Sequence, residues 1–273
     1  MKKLFLLLNC LWFALGLNAQ DIQDYKVEVG QFNKLRVTDN VHVVYRCLPD
    51  SSGFVQYRGK KEFADAFILT PKDGQLRVQV STEDVGNPEL PVLYVYSDFL
   101  NYVENSSDFT LTVENPAPCA EFKAVQIGNG TTTVENIKAT KVEGTLATGK
   151  GTVTLSGECR EGVFKMVGTG LISADRLKSN KVLCKILGSG SMGVWATETL
   201  NVKGIGSTKI YYKGEPIVKK VGGGKLYELP DGDSPAGVGV DEISVEEVYP
   251  EEKSVEDELR GCSVAETAHR PHP

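Results

Sequence analysis

A Gly-x-Gly element recurs through the middle of the chain, and it restricts the fold more than any other feature. The copies are Gly128-Asn129-Gly130, Gly149-Lys150-Gly151, Gly168-Thr169-Gly170, Gly188-Ser189-Gly190, Gly204-Ile205-Gly206 and Gly222-Gly223-Gly224. Their first glycines are spaced by 21, 19, 20, 16 and 18 residues, and a degenerate copy, Ser106-Ser107-Asp108, lies 22 residues before the first. Two positions past each second glycine stand Thr132, Val153, Ile172, Met192, Thr208 and Leu226; four past it stand Val134, Leu155, Ala174, Val194, Ile210 and Glu228. Apart from Glu228 these are apolar or threonine, and polar residues mostly alternate with them, which is the signature of a half-buried strand. The glycines are expected to supply the φ > 0 that turns the chain into each strand. One turn plus one strand cannot bury its own apolar side, so the copies must stack.

Stacking about seven coils at the strand spacing of roughly 4.8 Å gives a column of about 30 Å. A propeller needs about 40 residues per blade, twice this step, and the leucine signature of a leucine-rich repeat is missing. The pattern predicts an all-β chain: a right-handed parallel β-helix-like solenoid over residues 101–230, with antiparallel hairpins of the same spacing as the alternative. Residues 20–100 read as an irregular β cap that protects the open edge of the stack. Its expected strands are Val27 to Val29, Leu35 to Val37, Val41 to Tyr45, Leu76 to Val80 and Val92 to Tyr96, separated by turn signals such as Pro71-Lys72-Asp73-Gly74.

Both ends of the chain differ from this body. Met1-Lys2-Lys3 followed by an apolar stretch ending at Leu17-Asn18-Ala19 reads as a secretory signal peptide over residues 1–19, with a lipid anchor on Cys10 as the weaker alternative. No later run reaches the roughly 20 apolar residues of a membrane helix. Cys47, Cys119, Cys159, Cys184 and Cys262 are odd in number and irregular in spacing, and no CxxC occurs. They form no evident disulfide framework or zinc site, and Cys159 and Cys184 fall where core residues belong. Net charge is −6 over residues 21–123, +7 over 124–230 and −9 over 231–273. The last block, dense in acid and poor in apolar residues, reads as a disordered acidic tail; its His269 and His272 suggest no metal site. Such a tail would compete with an anionic ligand for the positive stack, so deleting residues 231–273 should strengthen binding.

Together these residues resemble the auto-transporter adhesin, head GIN domain family of bacterial envelopes. The likeness runs from Gly30-Gln31-Phe32 with Leu35 and Val37, through Asp73-Gly74-Gln75-Leu76 and Val92-Leu93-Tyr94-Val95, to Ser97-Asp98-Phe99-Leu100. It continues over the Gly-x-Gly coils and closes at Gly204-Ile205-Gly206-Ser207-Thr208-Lys209-Ile210-Tyr211-Tyr212-Lys213-Gly214-Glu215-Pro216. The resemblance covers roughly residues 25–229 and implies a β-helical fold, export and an adhesin-like role, with no catalytic residues to transfer. Ser106-Ser107-Asp108 and the acidic tail depart from the family pattern.

Catalytic chemistry finds little to stand on. A glycosidase needs two facing carboxylates, and residues 124–230 hold one aspartate, Asp175, and scattered glutamates. Asp175-Arg176 reads as a surface pair on a turn, while Asp98 and Asp108 in the N-terminal block could flank a groove. His42 is the one histidine before the tail and is expected to face solvent from its strand. Gly188-Ser189-Gly190-Ser191 is a repeat turn, not a nucleophile elbow, and strands rather than helices follow the Gly-x-Gly elements, so they are not dinucleotide fingerprints. No catalytic, cofactor-binding or metal site is assigned, and the binding residues stay open.

Binding fits better. Thirteen lysines in residues 124–230 would draw anionic glycans or envelope polymers to one side of the stack. Lysine without arginine lacks the forks that read bases, so nucleic acid is not expected. Tyr94, Tyr96, Tyr102, Trp195, Tyr211, Tyr212 and Tyr227 offer rings that could hold sugars. The expected function is a non-enzymatic envelope or surface protein that adheres through a rigid solenoid. A carbohydrate-active enzyme with its site in the N-terminal block and a self-associating structural or signalling module are the alternatives. Periplasm and cell surface are equally open.

Overall fold

The structure, a computed structural model, describes residues 22–48 and 53–229. The expected signal peptide and acidic tail lie outside these residues. Among them there is no α-helix, and seventeen strands join in one hydrogen-bonded sheet that winds into a solenoid of about six turns.

The chain enters through β1 (Ile22–Glu28), then β2 (Lys34–Val37), β3 (Val43–Cys47), β4 (Phe54–Lys60), β5 (Phe67–Lys72), β6 (Gln75–Val80) and β7 (Leu93–Ser97). Two of these, β4 and β5, were not expected as strands. They are antiparallel additions: β4 pairs with β1 and β7, and β5 pairs with β6 across the Asp73–Gly74 turn, whose φ values are 52° and 72°. Two successive positive φ values define a hairpin turn whose twist matches its strands. Of the other five, β1 pairs antiparallel with β4, and the remaining four form two true coils, β2–β3 and β6–β7, laid parallel on the stack.

Their order in space is not their order in the chain. β8 (Tyr102–Asn105) and β9 (Thr110–Glu114) start the regular repeat, yet they pair with β2 and β3 rather than with β6 and β7. The first coil is therefore sandwiched between the second and the third. Asn33 holds the crossing, its carbonyl accepting from the amides of Asn101 and Tyr102 at 3.0 and 3.3 Å.

From here each coil rests on its predecessor. β10 (Cys119–Ile127), β11 (Thr131–Thr148), β12 (Thr152–Met166), β13 (Leu171–Ile186) and β14 (Ser191–Gly204) pair in parallel, and β15 (Lys209–Lys213), β16 (Ile217–Gly222) and β17 (Lys225–Glu228) finish the stack. The segments after each glycine corner make a leading sheet, in which Leu93, Val43, Leu111, Thr132, Val153, Ile172, Met192, Ile210 and Leu226 stand in one inward column. The segments before each corner make a trailing sheet with the inward column Leu76, Leu35, Val103, Ala124, Gly144, Phe164, Cys184, Val202 and Lys220. A short third side joins the two.

The glycine corners work by close approach as well as by positive φ. Gly128, Gly149, Gly204, Gly206, Gly222 and Gly224 have φ between 80° and 141°, but Gly168, Gly170, Gly188 and Gly190 are not in the left-handed region. A Cβ on Gly168 would lie 2.5 Å from the Gly149 carbonyl oxygen, one on Gly170 2.0 Å from that of Gly151, and one on Gly188 2.0 Å from that of Gly168. Each corner seats its α-carbons on the carbonyls beneath, and the backbone bonds Thr169 to Gly149 and Leu171 to Gly151 at 2.9 and 3.0 Å. Ser106-Ser107-Asp108 occupies the same corner: a Cβ on Gly130 would meet the Ser107 carbonyl oxygen at 2.3 Å, and Asp108 accepts from the Asn129 amide at 3.3 Å.

Inside, a small residue on one coil makes room for a large one on the next. Gly144 leaves room for the Phe164 ring, which would stand 3.2 Å from a Cβ there. Near the corner the core turns polar but satisfied. Gln126 donates to the carbonyls of Ser107 and Ile127 and accepts from Thr132 at 2.7 Å, and Asn105 donates to those of Phe109 and Thr131. Cys159 and Cys184 are buried in this core, and burial pushes the Cys184 thiol up to about 12.

Candidate binding surface

Parallel registration makes every outward residue part of a column repeating at about 4.8 Å. On the trailing sheet one such column reads Arg77, Arg36, Glu104, Val125, Thr145, Lys165, Lys185, Lys203 and Val221. Its middle is neutralised. Arg36 pairs with Glu104 at 2.6 Å, and Glu104 also accepts from the Tyr102 hydroxyl at 2.6 Å. Nearby, Glu121, Lys141, Glu161 and Lys181 alternate in register, and Lys141 donates to Glu121 and Glu143 at 2.7 Å each. Lys165 still reaches Glu143 at 3.4 Å.

Beyond Lys165 the neutralisation stops. Lys185 and Lys203 are exposed and stacked in register, Lys219 follows on the neighbouring column, and no carboxylate among the described residues lies within ion-pair distance of the three. Like charges directly opposite one another on a sheet oppose its stability. Lysine at these outward positions thus makes the end of the trailing sheet a cationic strip.

The leading sheet carries hydroxyls and rings instead. Its outward column runs Tyr94, Val44, Thr112, Thr133, Thr154, Ser173, Gly193, Tyr211 and Tyr227. Tyr211 and Tyr227 stack with centroids 5.2 Å apart, and at the other end Arg46 lies 5.2 Å over the Tyr94 ring. Tyr96 stacks on Phe54, and Trp195 faces the Lys178 ammonium at 5.7 Å. Tyr212 points inward and packs partly buried against the core. Tyr102 stands on the trailing sheet, its hydroxyl pKa raised by burial and by its bond to Glu104.

The Asp175-Arg176 pair is not a surface pair. Arg176 is exposed, but the Asp175 side chain is wholly buried, accepting from the Ser173 hydroxyl at 2.6 Å and standing 4.0 Å from the Lys213 ammonium. The cause is a register slip. Ala174 pairs with Val194 and Lys178 with Trp195, so β13 carries three residues more than β14 at this corner. The short coil seen as the step of 16 residues between Gly188 and Gly204 lets Lys213, in register with Trp195, reach back over it to Asp175. The expected turn is a bulge within β13, and it places Asp175 beneath Lys213 while Arg176 stays outside.

The remaining candidates are separated. Asp108 sits at the corner before β9, its amide donating to Asn40, whereas Asp98 follows β7 in a different coil, its amide donating to Gln31. His42 is exposed at its edge but stacks on Phe109 at 4.7 Å, and burial lowers its pKa. Cys47 and Cys119 are free and half-buried.

Comparison with known proteins matches this geometry. The family model "Putative auto-transporter adhesin, head GIN domain" aligns with residues 31–216, and the chain belongs to that family. Among solved structures, a "putative adhesin" from Bacteroides fragilis superposes with a TM-score of 0.66 at 20% identity, covering 77% of this chain and 98% of its own. A "Putative lipid binding protein" from Parabacteroides distasonis gives 0.60 at 17% identity, covering 78% and 98%. A "putative adhesin" from Parabacteroides merdae gives 0.56 at 19% identity with the same coverage. At such identities the likeness concerns the fold. No match was found among curated proteins.

Proposed function

We propose that this chain is an exported, non-enzymatic envelope or cell-surface protein that adheres to anionic glycans or envelope polymers, and that the lysine strip of the trailing sheet is its contact. One observation carries the reading: Lys185 and Lys203 stand in register on successive coils with Lys219 beside them, and no carboxylate among the described residues lies within ion-pair distance of them. A row of lysines anchored on strands about 4.8 Å apart suits an extended polyanion lying along the axis. Lysine serves as a flexible point charge, so contact needs no fixed ligand geometry. Membership of an adhesin-named family supports the general role.

The test is retention of the purified chain on a polyuronate, a sulfated polysaccharide and a neutral glucan at low and high salt. Binding to both polyanions, abolished by salt and about tenfold weaker in Lys185→Glu/Lys203→Glu, is expected. Equal binding to the neutral glucan, or release of reducing sugar from any of the three, would overturn the reading.

A further inference from the structure

At the opposite end of the trailing sheet lies a cavity of about 390 Å³ lined by Lys34, Thr70, Lys72, Asp73, Gln75 and Arg77. Its construction follows from register. Thr70 opposes Arg77 and Lys72 opposes Gln75 across the β5–β6 hairpin, while Lys34 lies beside Gln75 on β2. Residues directly opposite share a face of the sheet, so these five side chains project outward together from three adjacent strands. Asp73, in the hairpin turn, closes one end.

The electrostatics of this patch differ from those of its neighbour in the same column. Arg36 and Arg77 are in register, but Arg36 has Glu104 on its other side and is neutralised by it. Arg77 has Thr70 on its other side. Among the described residues no carboxylate lies within ion-pair distance of Lys34, Lys72 or Arg77. A lysine on edge strand β5 guards against strand pairing, which accounts for Lys72 alone. It does not account for an arginine on the inner strand β6, placed beside a second arginine.

We propose that this cavity binds a phosphomonoester group, gripped by Lys34, Lys72 and Arg77, with the Thr70 hydroxyl and the Gln75 amide donating hydrogen bonds. Three cations and one carboxylate leave the site two charges positive, which balances a phosphomonoester dianion. The arginine fork can take two phosphate oxygens side by side, and the two ammonium groups supply point charges. A planar carboxylate would be satisfied by the arginine alone. The volume stands at the lower end of the roughly 300–1,000 Å³ of small-molecule sites, enough for the phosphate and one sugar-sized body. This site is independent of the lysine strip, and either could exist without the other.

Titration calorimetry of the full chain with inorganic phosphate and with a hexose phosphate tests the site. Saturable one-to-one binding is expected, about tenfold weaker in Arg77→Gln and in Lys34→Gln, and unchanged in Lys185→Glu/Lys203→Glu. Affinity for the hexose phosphate should rise with pH through about 6, where the monoester loses its second proton, and a sulfate monoester should show no such step. Flotation with phosphatidylcholine vesicles, with and without phosphatidic acid, separates the sources. Capture by phosphatidic acid that hexose phosphate competes away assigns the group to a lipid; soluble binding without capture assigns it to a sugar. Absence of saturable binding, or an affinity that falls as much in Lys185→Glu/Lys203→Glu as in Arg77→Gln, would overturn the proposal. Far-UV circular dichroism of each variant guards against reading misfolding as loss of binding.

Discussion

The two ends of this solenoid are finished in opposite ways. At the N-terminal end the chain folds back over itself: β4 runs antiparallel between β1 and β7, and β5 runs antiparallel along β6. That covering is aromatic, with Tyr25 stacked on Tyr57, Phe67 edge-on to Tyr57 and Phe54 stacked on Tyr96. Among the described residues the C-terminal end has no such layer. Its last coil shows Ile217 and Val221 at 67% exposure each, and one inward column on each sheet ends in charge, at Lys220 on the trailing sheet and Glu228 beside Leu226 on the leading sheet. An inward-pointing charge on an edge strand makes the edge a poor template for another chain. One end is closed by burial and the other by making further stacking unfavourable.

Substitutions on the two covers should therefore differ most. Val55 is wholly buried in β4, between Val27 and Val95. Val55→Asp places an unpaired carboxylate there and should cost about 4 kcal/mol or more, whereas Leu226→Asp in the half-covered last coil should cost about 1 kcal/mol. Urea unfolding of both variants measures the difference, and equal losses would remove the asymmetry. Next in size are the corners. Gly170→Ala drives a Cβ to 2.0 Å from the Gly151 oxygen beneath further stacked coils and should cost about 3 kcal/mol. Gly223→Ala makes a comparable clash, 2.4 Å from the Gly206 oxygen, but the last coil has room to lift, and about 1 kcal/mol is expected. Amide exchange should show the same gradient, with β15 to β17 opening before β11 to β13.

The charged terminus gives a third contrast. Lys220→Val restores an apolar residue at the end of the column that runs from Leu76 to Val202. Monomer stability should change by less than about 0.5 kcal/mol, while self-association should rise, because the edge loses its inward charge. Light scattering over a concentration series reads this directly, and a variant as monodisperse as the parent would show that Lys220 is no barrier.

Sequence periodicity exposed the middle of the molecule and hid its beginning, for a physical reason. In the repeat each coil stacks on the coil before it, so spacing in sequence maps onto spacing in space, and the columns through Val153 and Phe164 can be read along the chain. In the first hundred residues β2 sits between β6 and β8, and nothing in the alternation of Leu35, Leu76 and Val103 says which of them is the middle layer. The binding surfaces divide in the same way. A lysine surplus is visible in composition, but which lysines stand uncompensated depends on register: Lys141 is consumed by Glu121 and Glu143, and Lys185 is not. The phosphate cavity needs the β5–β6 hairpin, and β5 carries too little alternation to be seen. Adjacent opposite charges at Asp175-Arg176 suggest a turn, and nothing in them reveals the bulge within β13 that buries the aspartate.

The smallest expected effect separates ion pairs of the coils from those of the cap. Glu143 is held below the usual carboxylate range, first by its hydrogen bond from Lys141, against the opposing effect of its burial, with Lys165 adding attraction. Glu89 is also lowered, by Lys60, but its side chain is 62% exposed on the cap, against 13% for that of Glu143. A carboxylate with a lowered folded pKa binds protons more readily when unfolded. Its stabilisation is therefore complete above the unfolded value of about 4.3 and lost as pH falls through the lower folded value. Glu143→Gln should then cost about 1 kcal/mol or less near neutral pH, since Lys141 remains a third exposed to screening solvent. The deficit should vanish in acid, where the parent carboxyl is protonated too. Glu89→Gln should leave the unfolding midpoint unmoved at either pH. A Glu143→Gln deficit that persisted in acid would mean that this side chain supports the coil by packing, and that its charge is as dispensable as the one on the cap.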